Sequence, residues 1–350
     1  MILISILSDQ KKFTRNFDDF FPIYKWKNNL YKEGYKIKFY YSHKNISAVK
    51  SDIYIISSRC RFENRVEFKA FLKKIKNNTN KVLLFDASDT SGIVDFDLID
   101  YVDAIIKKQV LKNKNLYTEN NYDLSVRPWL SKMPENQNYK DYIPCPISSI
   151  EKIKLGWNIG LCDYRYFPSY FGLIRNLYIR NLKNNADDIL ENKNILISFR
   201  GSFNYGNNLI SFQRNKVLEI LKKMNKSNII LGKVIHKLKY LKELKYSKIG
   251  ISPFGWGEIC YRDFELIYNK AILIKPSMDH IETYPNLFVD NETYIKIDWD
   301  VTDLENKISD IELNYNDYKR ISNNAYQLFM YHQNNYNSFS NHFKNIIKSV

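Results

Sequence analysis

Residues 247–276 read SKIGISPFGWGEICYRDFELIYNKAILIKP. A short apolar run at 249–252 is broken by Pro253, Gly255 and Gly257. A helical pattern follows, and a second apolar run at 271–274 ends at Lys275-Pro276. Strand, Gly-rich turn, helix and strand in that order form the repeating unit of a parallel sheet. Such turns set a ligand between the carboxyl end of the strand and the amino end of the helix.

On this pattern Glu258, Arg262 and Glu265, four and three residues apart, share one helix face. Ile259, Phe264, Leu266 and Ile267 are left for the sheet. Backbone N–H groups of Gly255-Trp256-Gly257, an arginine one turn in and a carboxylate beyond suit a nucleotide diphosphate with its sugar hydroxyls. Tyr261 belongs to the same expected donor site. A solvated helix carrying an ordinary i,i+3 ion pair is the plain alternative, and the flanking glycines weigh against it.

The stretch resembles the donor-binding segment of GT-B glycosyltransferases, in particular exostosin-like and bacterial polysaccharide enzymes. The matching residues are Pro253, Gly255, Arg262, Glu265, Ala271 and Pro276. The resemblance implies two Rossmann-like α/β domains facing across a cleft and transfer from a nucleotide sugar to a glycan or lipid-linked acceptor in surface polysaccharide synthesis. It also implies a terminal helix packed back on the first domain. The retaining pattern of two glutamates with seven residues between is not met, because Glu258 and Glu265 have six between them. The stereochemical outcome is therefore left open.

Composition sets the bounds. The chain has 350 residues, enough for two domains. Aromatics make up 15%, which supplies a large core and argues against disorder. Cys60, Cys145, Cys162 and Cys260 lack any CxxC spacing and fit reduced thiols. No apolar run approaches the ~18 residues of a membrane span, and the opening residues lack the basic flank of a signal peptide. A cytoplasmic location follows as the expectation, with peripheral contact at the inner membrane face as an option.

The net charge of +15 admits nucleic acid, an anionic membrane or anionic small molecules as partners. A nucleic-acid-binding protein, and a non-catalytic glycan-binding protein of the same fold, are the alternatives. The first lacks any recognised motif. Residues 222–248 hold nine lysines and one acid, with Val234, Ile235, Leu238, Leu241 and Leu244 as a helical stripe. A core helix with a wet basic face is the simpler reading of this stripe; docking on anionic lipid is the other.

The amino-terminal half alternates strands, expected at 2–6, 36–40, 52–57, 81–85 and 103–106, with helices at 11–30 and 66–75. The fourth strand ends in Asp86-Ala-Ser-Asp89, where one carboxylate is placed to act as general base on an acceptor hydroxyl. Asx turns and a helix cap account for the same residues structurally. Lys107-Lys108 suit an anionic group or a surface pair. Prolines between 128 and 146 suggest a hinge, giving domains 1–150 and 151–350. The second half should begin with a helix at about 169–182 and a strand at 194–199 closed by Arg200-Gly201. Arg214 opens the next helix, and all three residues belong to the expected donor site. After Pro276, His280 and Thr283 are candidates to meet the donor sugar or phosphate, and residues 315–347 form one long aromatic helix. No spacing suggests a metal, and no cofactor beyond the donor is expected.

Overall fold

The structure, a computed structural model, describes residues 1–8, 16–60, 62–119, 143–162, 192–204 and 208–350. The expected helix at 169–182 and the start of the one expected at 11–30 lie outside the described residues.

Two parallel sheets organise the chain. The first has strands β1 (Ile2–Leu7), β2 (Tyr35–Tyr40), β3 (Ser51–Ser57), β4 (Thr79–Asp86), β5 (Ala104–Lys107) and β7 (Ile153–Leu155), in the order β2-β1-β3-β4-β5-β7. The second has β8 (Ile195–Arg200), β9 (Ile229–Gly232), β10 (Ser247–Ile251), β11 (Ile272–Pro276) and β13 (Ile295–Ile297), in the order β13-β11-β10-β8-β9. Every pairing in both sheets is parallel. These are two Rossmann-like α/β domains. Their continuous apolar strands, such as Ile53-Tyr54-Ile55-Ile56, are buried on both faces, as helix-covered parallel strands must be.

Each sheet reverses its winding once, between β1 and β3 in the first and between β8 and β10 in the second. Ligands bind outside the carboxyl ends of strands at such points. The sheets present these ends to a common cleft.

The seam between the domains is extensive. A two-stranded antiparallel ribbon joins β6 (Gln109–Leu111) to β12 (Ile281–Thr283). One apolar cluster runs from Val110 and Tyr117 to Phe264, Met278 and Leu287. Asn158 Nδ2 donates to Thr283 Oγ1 at 2.7 Å and to the Pro285 carbonyl at 2.9 Å.

Two expectations are corrected. β7 joins the first sheet, so the change of sheet comes after Leu155 and not at residue 150. The long terminal helix is two, Tyr315–Asn334 and Tyr336–Lys348. Asn335 Oδ1 accepts from Ser338 N at 3.1 Å and caps the second, which frees the chain to turn. The first packs Phe329 against Phe264, with centroids 6.0 Å apart. The second lays Phe339 on Trp26 and Trp157 of the first domain, at 5.1 and 5.5 Å.

Candidate functional site: the interdomain cleft

The cleft has a volume of about 550 Å³, within the range of small-molecule sites. Its walls differ in charge.

The second-domain wall is built on β8, β10 and the helix Tyr261–Tyr268. It carries Arg200, Gly201, Arg214, Gly255, Trp256, Gly257, Tyr261, Arg262 and Glu265, all expected there. The helix is packed onto its strand at Gly250, where a β-carbon would lie 2.2 Å from Leu266. Its first turn is held by Asp263, whose Oδ2 accepts from Cys260 N at 2.9 Å. Asp263 is fully buried and paired with Lys275 at 3.1 Å.

Arg262 reaches across to β8. Its Nη2 donates to the Arg200 carbonyl at 2.6 Å, and its guanidinium lies 5.3 Å from the centre of the Phe199 ring. Arg200 forks onto Glu243 at 3.0 and 2.9 Å. Burial works against the Glu243 carboxylate, yet the bonds from Arg200 and Ser198 hold it below its ordinary range. Arg200 is thus largely neutralised from behind. Arg214 Nη1 donates to the Ser202 carbonyl at 3.4 Å. Glu265 is bonded to Lys237. Counting Arg200, Arg214, Arg262 and Lys237 against Glu265 and Glu243, this wall keeps an excess of two positive charges.

The first-domain wall is balanced. Asp19, Arg59, Asp89 and Lys108 stand past the carboxyl ends of β1, β3, β4 and β5. They form a ring of alternating sign. Arg59 lies 3.2 Å from Asp19 and 3.4 Å from Asp89; Lys108 lies 3.2 Å from Asp89 and 3.9 Å from Asp19. Asp19 is deeply buried, and burial pushes its carboxyl above the ordinary value while Lys108 and Arg59 pull it back only in part. Asp89 is the open member, with its side chain 37% exposed.

Four expected site residues stand elsewhere. Asp86 is turned away from the cleft into a buried pair with Lys107 at 3.3 Å. Lys107 Nζ also donates to Ser88 Oγ and the Ile93 carbonyl. Burial lowers the Lys107 ammonium against the pull of Asp86. Neither Lys107 nor Lys108 is a surface lysine.

Glu258 does not share a helix face with Arg262, because the helix starts three residues later. It is buried and crosses to the first domain. Its carboxylate accepts from Ser91 N at 2.9 Å, Ser91 Oγ at 2.8 Å and Thr90 Oγ1 at 3.4 Å. His280 Nε2 stands 3.9 Å from it, behind the cleft. Thr283 lies in the β6–β12 ribbon against Asn158, and neither His280 nor Thr283 lines the cleft. An interdomain ribbon joins residues more than 160 positions apart, which no local pattern announces.

Gly257 marks the tightest approach between the walls. A β-carbon there would fall 1.5 Å from the Asp89 carbonyl oxygen. Gly257→Ala must therefore push the glycine-rich turn away from the loop that bears Asp89. The expected cost is about 1–3 kcal/mol or more, seen as a lower thermal midpoint together with weaker ligand binding. An unchanged midpoint would contradict the contact.

Asp19 and Arg59 were not singled out from the sequence. Arg59 follows a buried strand directly, so the rule that ligand groups cluster at strand carboxyl ends would have found it. Asp19 sits in a helical turn with no local signal.

No family model matches the chain, and no curated protein matches it. It is similar to several solved structures. One is Anabaena HepE in complex with UDP and glucose, at 9% identity over 100% of both chains and a TM-score of 0.49. Another is a glycosyltransferase from Rickettsia africae, at 12% identity over 99% of this chain and 98% of that one, TM-score 0.49. A third is the S. aureus MnaA–UDP structure, at 10% identity over 100% and 98%, TM-score 0.41. Likenesses so distant assign neither donor nor acceptor, and the chemistry has to come from the cleft.

Proposed function

We propose that the protein is a glycosyltransferase that moves a sugar from a nucleotide-activated donor to a hydroxyl of a glycan or lipid-linked acceptor. The observation that carries this reading is the asymmetry of the cleft. One wall is a Gly-rich turn with an excess of cations, suited to a diphosphate; the facing wall is a neutral ring with one open carboxylate, suited to an uncharged hydroxyl.

In this reading the acceptor oxygen bonds to the anomeric carbon as the bond from that carbon to the phosphate oxygen breaks. Asp89 takes the acceptor proton. The nucleoside diphosphate leaves with the electron pair, and Arg262 and Arg214 offset its charge. Glu265 holds sugar or ribose hydroxyls. Asp19 keeps Arg59 and Lys108 in place around Asp89.

The direct test is a thermal-shift panel of UDP-, GDP-, CMP- and dTDP-sugars on the full chain. A bound donor at a hundredfold excess over its dissociation constant should add about 2.7 kcal/mol of stability. No response to any nucleotide or nucleotide sugar would remove the proposal.

The two aspartates divide cleanly. Asp86→Ala strands a buried Lys107 and should cost about 3–5 kcal/mol in unfolding experiments. Asp89→Asn should leave the thermal midpoint nearly unchanged and lower transfer by about a hundredfold or more. The reverse pattern would assign the proton to Asp86.

The wall of arginines also predicts that transfer needs no divalent cation, because fixed guanidinium groups do the neutralising. Activity should survive EDTA; loss reversed by manganese or magnesium would contradict this.

A further inference from the structure

One surface adjoins the cleft and extends beyond it. β9 is the outer strand of the second sheet, and from it the chain turns into the helix Lys237–Tyr246. On this turn and helix, Val234 is 71% exposed and Leu238 63% exposed. Lys233, Lys239 and Lys242 are exposed around them. The helix buries Leu244 in the core, as a core helix does, but leaves Val234 and Leu238 outside it. Residues 222–248 hold nine lysines against the single acid Glu243, which is taken up by Arg200 at 2.9 Å. The surface is therefore apolar at its tip and cationic around it, with no free carboxylate in its own stretch.

We propose that this face docks on an anionic lipid bilayer. Val234 and Leu238 enter the boundary between headgroups and acyl chains, and the lysines meet the anionic headgroups. Val234 also lines the cleft, as does Trp256, which is 59% exposed. Docking through this face sets the mouth of the cleft at the membrane plane, where an indole is well placed. A nucleic acid fits less well. Its phosphates would use the lysines and leave the apolar tips idle, and the one aromatic ring within the helix away from its last turn, Tyr240, is half-buried and faces Lys237 at 5.7 Å. Docking stands without the proposed transfer. Its consequence for the substrate, an acceptor glycan carried on a lipid, rests on that transfer.

The experiment is co-sedimentation of the full chain with phosphatidylcholine vesicles, with and without phosphatidylglycerol. Binding is expected only where phosphatidylglycerol is present. The double variant Lys239→Glu/Lys242→Glu should weaken it by at least about tenfold. Leu238→Ser should weaken it several-fold and make the remainder fully salt-sensitive. Lys36→Glu/Lys38→Glu, an equal charge change at the exposed edge of β2, should stay within about twofold of the parent. All these side chains are exposed, so thermal midpoints should hold and confirm folded protein. Four results would overturn the proposal. They are no binding to phosphatidylglycerol vesicles, equal loss in the β2 control, no effect of Leu238→Ser, and displacement from vesicles by a random oligonucleotide that binds more tightly. Nucleotide-sugar binding is measured separately by thermal shift, so failure here leaves the proposed transfer standing.

Discussion

Arg262→Ala should lower transfer by about a hundredfold or more while the protein stays folded. Arg262 lies in the first turn of a helix whose amino end follows Gly255-Trp256-Gly257, and it lines the cleft. Its guanidinium is braced by the Arg200 carbonyl at 2.6 Å and by the Phe199 ring. Tyr240 is also hydrogen-bonded to Arg262, and the five-donor fork keeps further N–H groups for a diphosphate. Of the cleft arginines, Arg200 is already committed to Glu243, so Arg262 and Arg214 must supply most of the neutralising charge.

The structural cost of the alanine should be small, about 1 kcal/mol for the lost bond to the carbonyl. The kinetic cost should be large, because preorganised donors act where charge develops on the leaving group. Arg262→Lys keeps the sign and loses the fork, so it should recover only part of the rate. The measurement is nucleotide release from whichever donor stabilises the protein most, with the thermal midpoint followed in parallel. An alanine variant within a few-fold of the parent rate would remove Arg262 from the chemistry.

Glu258→Ala should be among the most destabilising single changes in the chain. Burial alone would raise this carboxyl. The contact with His280 and the bonds from Ser91 outweigh burial and hold its pKa at about 2, below the ordinary 4.5. A carboxylate depressed by that much contributes about 3 kcal/mol at neutral pH. Removing it also leaves Ser91 N and Ser91 Oγ unpaired inside the seam, which brings the expected cost to about 3–5 kcal/mol.

The sign of the pH effect follows from the depression. The contribution is fully present above the unfolded value near 4.5 and is lost as pH falls through about 2. Denaturant unfolding of the parent and Glu258→Gln should therefore differ most at neutral pH and converge near pH 2. Glu258→Gln keeps an acceptor for Ser91 and loses the charge, so it should fall between the parent and the alanine. A difference independent of pH would show that the carboxylate charge does not hold the seam.

Glu258 has a second consequence. It ties the glycine-rich turn to Thr90 and Ser91, next to Asp89. Gly257 meets the Asp89 carbonyl, and Gln109 Nε2 donates to that same oxygen at 2.7 Å. The distance between the glycine-rich turn and the open carboxylate is thus set by groups from both domains. The β6–β12 ribbon and the shared apolar cluster hold the same seam. These contacts together set the spacing of the two walls in the structure.

Much of this was legible in the sequence. Alternating apolar strands and amphipathic helices declare a parallel α/β fold, because hydrophobic periodicity is a local property. The Pro253-Phe254-Gly255-Trp256-Gly257 turn followed by Arg262 and Glu265 marked one wall of the cleft, since strand, turn and helix are contiguous and the cleft opens where they meet. Arg200, Gly201 and Arg214 line that same wall.

Tertiary structure alone decided what lay between the domains. Asp86 and Asp89 are three residues apart and equivalent on paper. The fold buries the first against Lys107 and opens the second onto the cleft. Glu258 looked like part of a helical face, but Asp263 caps the helix later and releases Glu258 to cross the seam. Thr283 was drawn into an antiparallel ribbon whose other strand lies about 170 residues away in sequence, and His280, just before it, stands against Glu258. The Asp19–Arg59–Asp89–Lys108 ring comes from four strand ends that only the winding of the sheet brings together. Local patterns determine which elements form. Which charges meet depends on long-range packing, because a charge buried without its partner is too costly to keep.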